Sequence, residues 1–259
     1  MDVQSLGFRT ELPLLETSGS LVEDHGSHLV VRTPASPDYY WGNFLLLPEA
    51  PRTLDEAQHW LGEHRRAFPE ARHGALGIDR YDGADLSPLR EAGMKVEVPV
   101  AMTATTVHPP PRPDTTADVR QLSGDEDWEQ LVDLTLAGED DPHLTRDFST
   151  RKAAAHRSLV EGGHGHWWGA FAAGGLVASM GIFRAGEGLA RFQSVKTHPD
   201  HRGRGLAGTL VHRVSLDALA TLDAHTLVMV ADPDYLAIRV YRSVGFLDGG
   251  SHAEATLVP

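Results

Sequence analysis

A strand that passes directly into a glycine turn and then into an apolar helix is the feature that most constrains the fold of this chain. The predicted strand "LARFQSVKT" (189–197) is followed by the turn "HPDHRGRG" (198–205). From there, apolar residues recur every four positions, at 206, 210, 214 and 218, which is a helical spacing. The first N–H groups of such a helix have no acceptor within it and lie at the positive end of its dipole. The segment therefore predicts a site for an anion.

The glycines of this turn strengthen that prediction. Gly203 and Gly205 can adopt a left-handed backbone and carry no Cβ, so successive N–H groups can converge on one phosphate. Ala207 and Gly208 keep the first turn of the helix thin. The local charge agrees, because residues 191–213 carry five cations and one acid in a chain whose net charge is −13. An ordinary surface turn with solvating arginines is the structural alternative.

Two motifs resemble those of the GCN5-related N-acetyltransferase (GNAT) superfamily. The stretch from Arg202 to Ala207 is similar to its Q/R-x-x-G-x-G/A signature, and "DYLAIRVYRSVGF" (234–246) is similar to its N-x-x-A-I-x-x-Y-x-x-x-G-F helix. One helix and one strand separate the two motifs, and together they are far more specific than either alone. Asp234 stands where the superfamily commonly has asparagine. Its side chain can cap the following helix but cannot donate a hydrogen bond to a cofactor.

The resemblance implies a mixed α/β fold of the GNAT kind and transfer of an acetyl group from acetyl-CoA directly to an amine. It places the pyrophosphate on the turn and the pantetheine arm beside the preceding strand. Tyr241 matches the tyrosine that protonates the departing thiolate in many members, and a phenol of pKa ~10 is protonated at neutral pH. An aromatic side chain that only packs the helix on the sheet is the alternative for Tyr241. The residues that the resemblance assigns to cofactor binding are Val195, Thr197, Arg202, Gly203, Arg204, Gly205, Leu206, Ala207, Gly208 and Asp234.

The sequence does not identify which residue is the general base. Some relatives place a glutamate on the strand before the turn, whereas "LARFQSVKTHP" contains no carboxylate. Glu139, Asp140 and Asp141 are candidate bases or ammonium-binding groups, and a solvated acidic loop is the alternative for them. A chain of waters that delivers the proton to solvent is equally compatible.

The chain divides at the proline-rich stretch "VHPPPRPDTTADV" (107–119), because consecutive prolines favour an extended spacer. We predict a first GNAT-like half over 1–107, a linker over 108–114 and a catalytic GNAT half over 115–259. Strand, helix, strand, helix, strand recurs in the same order in both halves. That order indicates either a diverged internal duplication, hence two tandem GNAT-like halves, or an unrelated α/β domain in front of the second.

The corresponding turn of the first half, within "GNFLLLPEAPRTLDEAQHW", has lost the anion chemistry. Pro48 and Pro51 remove N–H donors, and Glu49, Asp55 and Glu56 repel phosphate. We therefore expect a degenerate half that binds no coenzyme A. It would complete the sheet, cover the acceptor cleft or dimerise.

Composition narrows the classes of function further. Cysteine is absent, which excludes disulfides, thiolate metal sites and a cysteine acyl-enzyme. The two histidines of "HGHWW" lack a third ligand, so packing is favoured there and no metal is expected. The net charge of −13 disfavours nucleic acid and anionic membranes as partners. No apolar run is long enough to cross a membrane and the first residues do not resemble a signal peptide, so a cytoplasmic protein is the simplest expectation.

These observations predict an acetyl-CoA-dependent N-acetyltransferase that acts on a small-molecule amine or a peptide N-terminus. The acidic remainder of the chain favours a cationic small amine as acceptor, and a homodimer is compatible with the sequence. A coenzyme A sensor that binds without turnover is the rival interpretation. An aminoacyl transferase that uses charged tRNA is a poorer one, because the chain has no long basic groove.

Overall fold

A computed structural model of the chain describes residues 1–137 and 144–258. The described residues form a mixed α/β structure, which confirms the predicted fold class. The helices are α1 (Leu6–Thr17), α2 (Leu54–Ala67), α3 (Ser87–Glu91), α4 (Gly124–Leu136), α5 (Arg146–Glu161), α6 (Leu206–Thr221) and α7 (Ala237–Val244). The strands are β1 (Leu21–Asp24), β2 (Leu29–Arg32), β3 (Phe44–Leu47), β4 (Gly74–Ile78), β5 (Lys95–Glu97), β6 (Val100–Ala104), β7 (Asp118–Gln121), β8 (Gly165–Ala172), β9 (Gly175–Arg184), β10 (Leu189–Thr197), β11 (Thr226–Ala231), β12 (Leu247–Ser251) and β13 (Ala253–Leu257).

The chain folds into two compact units. The first comprises Met1–Met102, Val230–Tyr235 and the residues from Asp248 on, and the second comprises Thr103–Met229 and Leu236–Leu247. None of the described helices is long and apolar enough to cross a membrane.

The first sheet has the strand order β1-β2-β3-β4-β13-β5. Strands β1 to β3 are antiparallel neighbours, whereas β3 and β4 run parallel, with Leu45 opposite Leu76, and are connected through α2. All four residues of β3 are buried, because this apolar run is covered on both faces. One face packs on α1, through Phe8 and Leu12, and the other packs on α2, through Ala57 and Leu61.

The second sheet has the order β12-β6-β11-β10-β9-β8-β7. Strands β7 to β10 form an antiparallel meander, and β10 then runs parallel to β11 through α6. Both sheets therefore contain a strand–helix–strand crossover between two parallel neighbours. In each sheet the next strand comes from elsewhere in the chain: β13 stands between β4 and β5, and β6 stands between β11 and β12.

Helices cover the two faces of the meander. Trp167 of β8 contacts His156 of α5, with ring centroids 4.4 Å apart, and Trp128 of α4, at 5.9 Å. His166, the neighbour of Trp167, bonds through Nδ1 to the Asp217 carboxylate of α6 at 2.6 Å. Because successive residues of a strand point to opposite faces, α4 and α5 lie on one side of the sheet and α6 lies on the other.

The start of α4 is closed by an acid of its own first turn. The helix begins at Gly124 and its N-cap is Ser123. The carboxylate that receives the Ser123 N–H, at 2.7 Å, belongs to Asp127 one turn further on. Asp127 also pairs with Arg120 of β7, which holds the pKa of the Asp127 carboxyl below its ordinary value. The ion pair with Arg120 positions the Asp127 carboxylate to accept the N–H of the N-cap residue.

Candidate functional site

The site begins where two parallel strands separate. Strand β10 is in register with β11 only from Leu189, opposite Thr226, to Arg191, opposite Val228. Beyond Arg191, β10 continues to Thr197 and keeps its pairing with β9. A gap therefore opens along the β11 side of residues 192–197, and an extended ligand can lie there against strand backbone.

A β-bulge bends β10 within this gap. The register with β9 shifts between Gln193 and Lys196, and Ser194 has a φ of 50°, which is unusual for a residue with a side chain. A bulge re-aims the residues that follow it and often stands beside a functional site. Val195 lies inside the bulge and Thr197 at the end of the strand, so both predicted pantetheine contacts lie in the widened part.

The glycine turn follows immediately. A short 3-10 turn, Pro199–His201, leads to Gly203 at φ 76° and Gly205 at φ 87°, both in the left-handed region that glycine tolerates. Helix α6 begins at Leu206, and its N-cap, Gly205, has no side chain to cap it. The turn and the helix start predicted from the sequence are therefore in place.

Six consecutive backbone N–H groups lie without a protein acceptor at this helix start. The N–H of Arg202 donates to the Pro199 carbonyl at 3.2 Å, and that of Thr209 donates to the Gly205 carbonyl at 3.0 Å. Between them, the N–H groups of residues 203–208 find no acceptor in the part of the chain that the structure describes. Backbone donors without protein partners at a helix N-terminus form an anion site.

The arginines of the turn are exposed and anchored through their own backbone neighbours. Arg202 Nε donates to the Thr197 carbonyl at 3.3 Å, and Arg204 Nη2 donates to the Asp200 carbonyl at 3.0 Å. Both guanidinium groups keep further donors for an anion. His212 adds no charge at neutral pH, because burial, with the nearby His108 and Arg213, lowers its pKa.

The proline-rich segment packs against the same helix start, within the second unit. A Cβ on Gly205 would lie 2.2 Å from the Arg112 carbonyl oxygen, and one on Gly208 would lie 2.9 Å from Pro110 Cβ. The Thr209 hydroxyl accepts the Asp114 N–H at 2.8 Å. Segment 108–114 is thus fixed on α6 rather than freely extended.

This contact changes the role of two glycines. The linker accounts for the missing side chains at both positions, through the Arg112 carbonyl at 205 and the Pro110 ring at 208, whereas the sequence alone attributed these glycines to a ligand. At Gly203, by contrast, an added Cβ meets nothing within 4 Å. Gly203 is therefore the glycine whose environment is open to a ligand.

Tyr241 lies on the buried stripe of α7 with Ile238 and Val244, and it is 6% exposed. The helix ends at Val244 with Gly245 as its C-cap, and the N–H of Phe246 donates to the Tyr241 carbonyl at 3.1 Å. The Phe246 ring then contacts Phe192 of β10, with centroids 5.9 Å apart. Through this contact, the segment after α7 packs on β10, the strand that borders the gap.

Asp234 does not cap this helix. Helix α7 begins at Ala237, its N-cap is Leu236, and no side chain closes it, so the expected capping role is wrong. The N–H of Asp234 instead donates to the Asp232 carboxylate at 2.9 Å, in an exposed turn. A hydrogen bond between side chain and backbone two residues apart is typical of such turns and explains why the helix starts late.

The acidic candidates for the base, Glu139, Asp140 and Asp141, lie outside the described residues. The polar residues of the strand itself are Arg191, Gln193, Ser194, Lys196 and Thr197, and none of them is a carboxylic acid.

The glycine spacing at 203, 205 and 208 also satisfies the G-x-G-x-x-G pattern of dinucleotide-binding proteins. That pattern belongs to doubly wound parallel sheets. Here β10 is parallel to β11 but antiparallel to β9. The sheet topology therefore argues against a nicotinamide dinucleotide site.

Comparison with known proteins confirms the resemblance. Residues 176–252, which include the gap, the turn and α7, match the family model described as FR47-like protein. No curated protein is significantly similar to the chain in sequence. The fold is that of GNAT proteins.

Three solved structures illustrate this likeness over nearly the whole chain. A GCN5-related N-acetyltransferase from Kribbella flavida has a TM-score of 0.67 and 17% identity, over 98% of this chain and 96% of that one. A conserved protein of unknown function from Staphylococcus epidermidis has a TM-score of 0.70 and 13% identity, over 92% of both chains. A tandem GNAT protein from the clavulanic acid biosynthesis pathway has a TM-score of 0.58 and 12% identity, over 94% of this chain and 87% of that one.

Proposed function

We propose that this protein is an N-acetyltransferase that moves an acetyl group from acetyl-CoA directly to a primary amine. The carrying observation is the run of N–H groups at 203–208, which find no acceptor among the described residues and stand beside the gap between β10 and β11. The GNAT fold of the chain supports the proposal, because proteins of that fold act on acyl-CoA.

The turn fits a diphosphate by its donor set. Two glycines in the left-handed region orient successive amides the same way, and such a nest binds phosphate oxygens. Arg202 and Arg204 supply charge at the rim. By this proposal, the amides of 203–208 hold the pyrophosphate of acetyl-CoA, and the backbone near Val195 and Thr197 supports its pantetheine arm.

The chain then has to manage two protons. The acceptor must lose a proton before its nitrogen can attack the thioester carbonyl, and the C–S bond that breaks leaves a thiolate that must gain one. We assign the second task to the Tyr241 phenol. Buried on α7, it can donate as negative charge develops on sulfur, and little water competes with it.

Release of coenzyme A thiol from acetyl-CoA, measured across a panel of amines, tests this function. We expect amine-dependent release, with product masses raised by one acetyl group. The measurement also separates the rival sensor, because saturable coenzyme A binding without release for any amine would favour a binding module. A protein that neither binds nor releases coenzyme A would contradict both functions.

A further inference from the structure

The linker segment 108–114 is hydrogen-bonded to the start of α6 through the side chain of Thr209. The Thr209 hydroxyl accepts the Asp114 N–H at 2.8 Å and donates to the Gly205 carbonyl at 3.0 Å. The Thr209 N–H donates to the same carbonyl, also at 3.0 Å. Two donors of one residue therefore hold the carbonyl of the helix N-cap, and the linker amide holds the rotamer of that residue.

These bonds fix the direction of an amide in the open run at 203–208. The Gly205 carbonyl and the Leu206 N–H belong to one planar trans peptide unit, so they point in opposite directions. Because the carbonyl points along the helix to Thr209, the Leu206 N–H points away from the helix, to the open side of the turn. Gly205 has a φ of 87° and no side chain, so neighbouring groups must hold this peptide unit in place.

The composition of the linker favours its docked position. Four of the six residues 109–114 are prolines, so the segment loses little conformational freedom when it packs on the helix. Pro110 is buried against Gly208. The Asp114 carboxylate accepts the N–H groups of the residues two and three positions further on, both at 2.8 Å, and this fixes the chain where it leaves the linker.

We infer that Thr209 is a positioning residue of the coenzyme site and that the docked linker is part of that site. The inference rests on the proposed function and adds to it the segment that orients the amides. When the linker leaves α6, the Thr209 hydroxyl loses the partner that fixes its rotamer, and the peptide unit between Gly205 and Leu206 gains freedom. A diphosphate then binds more weakly. Because coupling between two equilibria is reciprocal, coenzyme A in turn stabilises the docked linker.

Two variants of Thr209 test its role. Thr209→Val keeps the shape of the side chain and removes the hydroxyl, whereas Thr209→Ser keeps the hydroxyl. We expect Thr209→Val to weaken coenzyme A binding about 10-fold and to raise KM for acetyl-CoA by a similar factor. Its kcat should stay within about two-fold, because the variant alters binding and not the chemical step. Its affinity for pantetheine, which lacks the diphosphate, should not change, and Thr209→Ser should bind coenzyme A as the wild type does.

Thr221→Val is the matched control on the same helix. The Thr221 hydroxyl also donates to the carbonyl four residues earlier, that of Asp217, at 2.8 Å, but it lies at the other end of α6. This variant should leave all these constants unchanged. Unchanged coenzyme A affinity in a folded Thr209→Val overturns the inference and leaves the proposed function standing. An equal loss for pantetheine, in Thr209→Ser or in Thr221→Val does the same.

Hydrogen exchange of the wild-type protein tests the coupling without a variant, and it decides if Thr209→Val fails to fold. The N–H groups of Arg112 and Asp114 are the two backbone donors of 109–114, because proline has none, so exchange in this segment is readily assigned. By reciprocity, saturating coenzyme A should slow exchange at Asp114 about 10-fold, whereas pantetheine should not. Unchanged exchange at Asp114 in the coenzyme A complex overturns the inference. A wild type that binds no coenzyme A overturns the proposed function instead.

Discussion

The chain contains the same strand–helix–strand crossover twice, and the two copies differ in what the helix start offers. In the first unit β3 leads through α2 to the parallel strand β4, and in the second β10 leads through α6 to β11. The topology is shared, so the topology alone does not make an anion site. The difference lies in how the first N–H groups of each helix are satisfied.

At the start of α2, side chains of the same segment accept the backbone N–H groups. The Thr53 hydroxyl caps α2 by accepting the Glu56 N–H at 3.2 Å, and the Glu56 carboxylate accepts the Arg52 N–H at 2.7 Å. This arrangement is a variant of the capping box, in which the carboxylate accepts the N–H of the residue before the N-cap rather than that of the N-cap itself. Pro51 removes one further donor. The second start has a glycine N-cap without a side chain, and its donors at 203–208 find no partner among the described residues.

The first unit nevertheless keeps a cavity at the corresponding ends of its strands. It has a volume of about 410 Å³ and is lined from Glu49 to Arg52 after β3 and from Arg80 to Asp85 after β4. Its cations are already engaged, because Arg80 pairs with Glu49 at 2.6 Å and Arg52 approaches the same carboxylate at 3.4 Å. The first helix start is thus capped and its cations are paired with a carboxylate, whereas the second is uncapped, and the proposed anion site depends on this difference.

The largest effect is expected from placing a side chain in the open turn. Gly203→Val should weaken coenzyme A binding about 1000-fold, from a micromolar to a millimolar dissociation constant, since the new side chain enters the space that the ligand needs. Gly83→Val in the first unit is the matched control, because Gly83 has a φ of 79° and open space, as Gly203 has at 76°. Calorimetry on both variants distinguishes ligand exclusion from backbone strain. Equal affinities would show that the open turn is not the binding site.

The next effect concerns the tyrosine of α7. Tyr241→Phe should lower kcat on the order of 100-fold, the usual contribution of a positioned acid, and leave the acetyl-CoA dissociation constant within a factor of two or so (about 0.4 kcal/mol). Tyr81→Phe, which alters the phenol packed on the core of the first unit, is the control. A fully active Tyr241→Phe enzyme would remove the proposed acid.

Removing the rim charges should have a smaller effect. The double variant Arg202→Gln with Arg204→Gln should weaken coenzyme A binding about 10-fold at low salt, and less as ionic strength rises, because exposed charges are screened. Arg52→Gln with Arg80→Gln removes the corresponding cations of the first unit and should leave the affinity unchanged. Titration of each double variant with coenzyme A at two salt concentrations measures these affinities. A weaker affinity in the Arg52→Gln with Arg80→Gln variant would contradict the proposed difference between the two units.

The smallest effect is expected from removing the N-cap side chain of α2. Thr53→Ala should lower the free energy of unfolding by about 1 kcal/mol, since it leaves one donor of α2 without its partner. It should not create coenzyme A affinity, because Pro51 and Glu49 stay in place. Denaturant unfolding together with calorimetry gives both values. Unchanged stability would mean that the capping box does not hold this helix start.

Local signals in the sequence predict much of the second unit. Strand β10 has the predicted bounds, and α6 starts at Leu206 as its spacing indicates. Both follow from short-range periodicity and from glycine conformation, which depend on few neighbours. Helix α1 was missed although Ser5 caps it, because Pro13 within the helix interrupts the usual pattern.

Contacts between segments that are distant in the chain could not be predicted from the sequence. The insertion of β13 between β4 and β5, and of β6 between β11 and β12, depends on strand pairing, which a run of apolar residues does not encode. The packing of Arg112 against Gly205 is likewise invisible, since a glycine beside a ligand and one beside a chain segment look the same in sequence. The division at residues 107–115 stays a prediction.

The most direct test of the central claim compares ligands with and without the diphosphate that the amides would hold. The wild-type protein is titrated by calorimetry with coenzyme A and with pantetheine, which lacks the diphosphate together with the nucleotide. The account predicts saturable binding of coenzyme A, with one site per chain and an affinity at least about 100-fold above that of pantetheine. No binding of coenzyme A, or equal affinity for the two ligands, would contradict it.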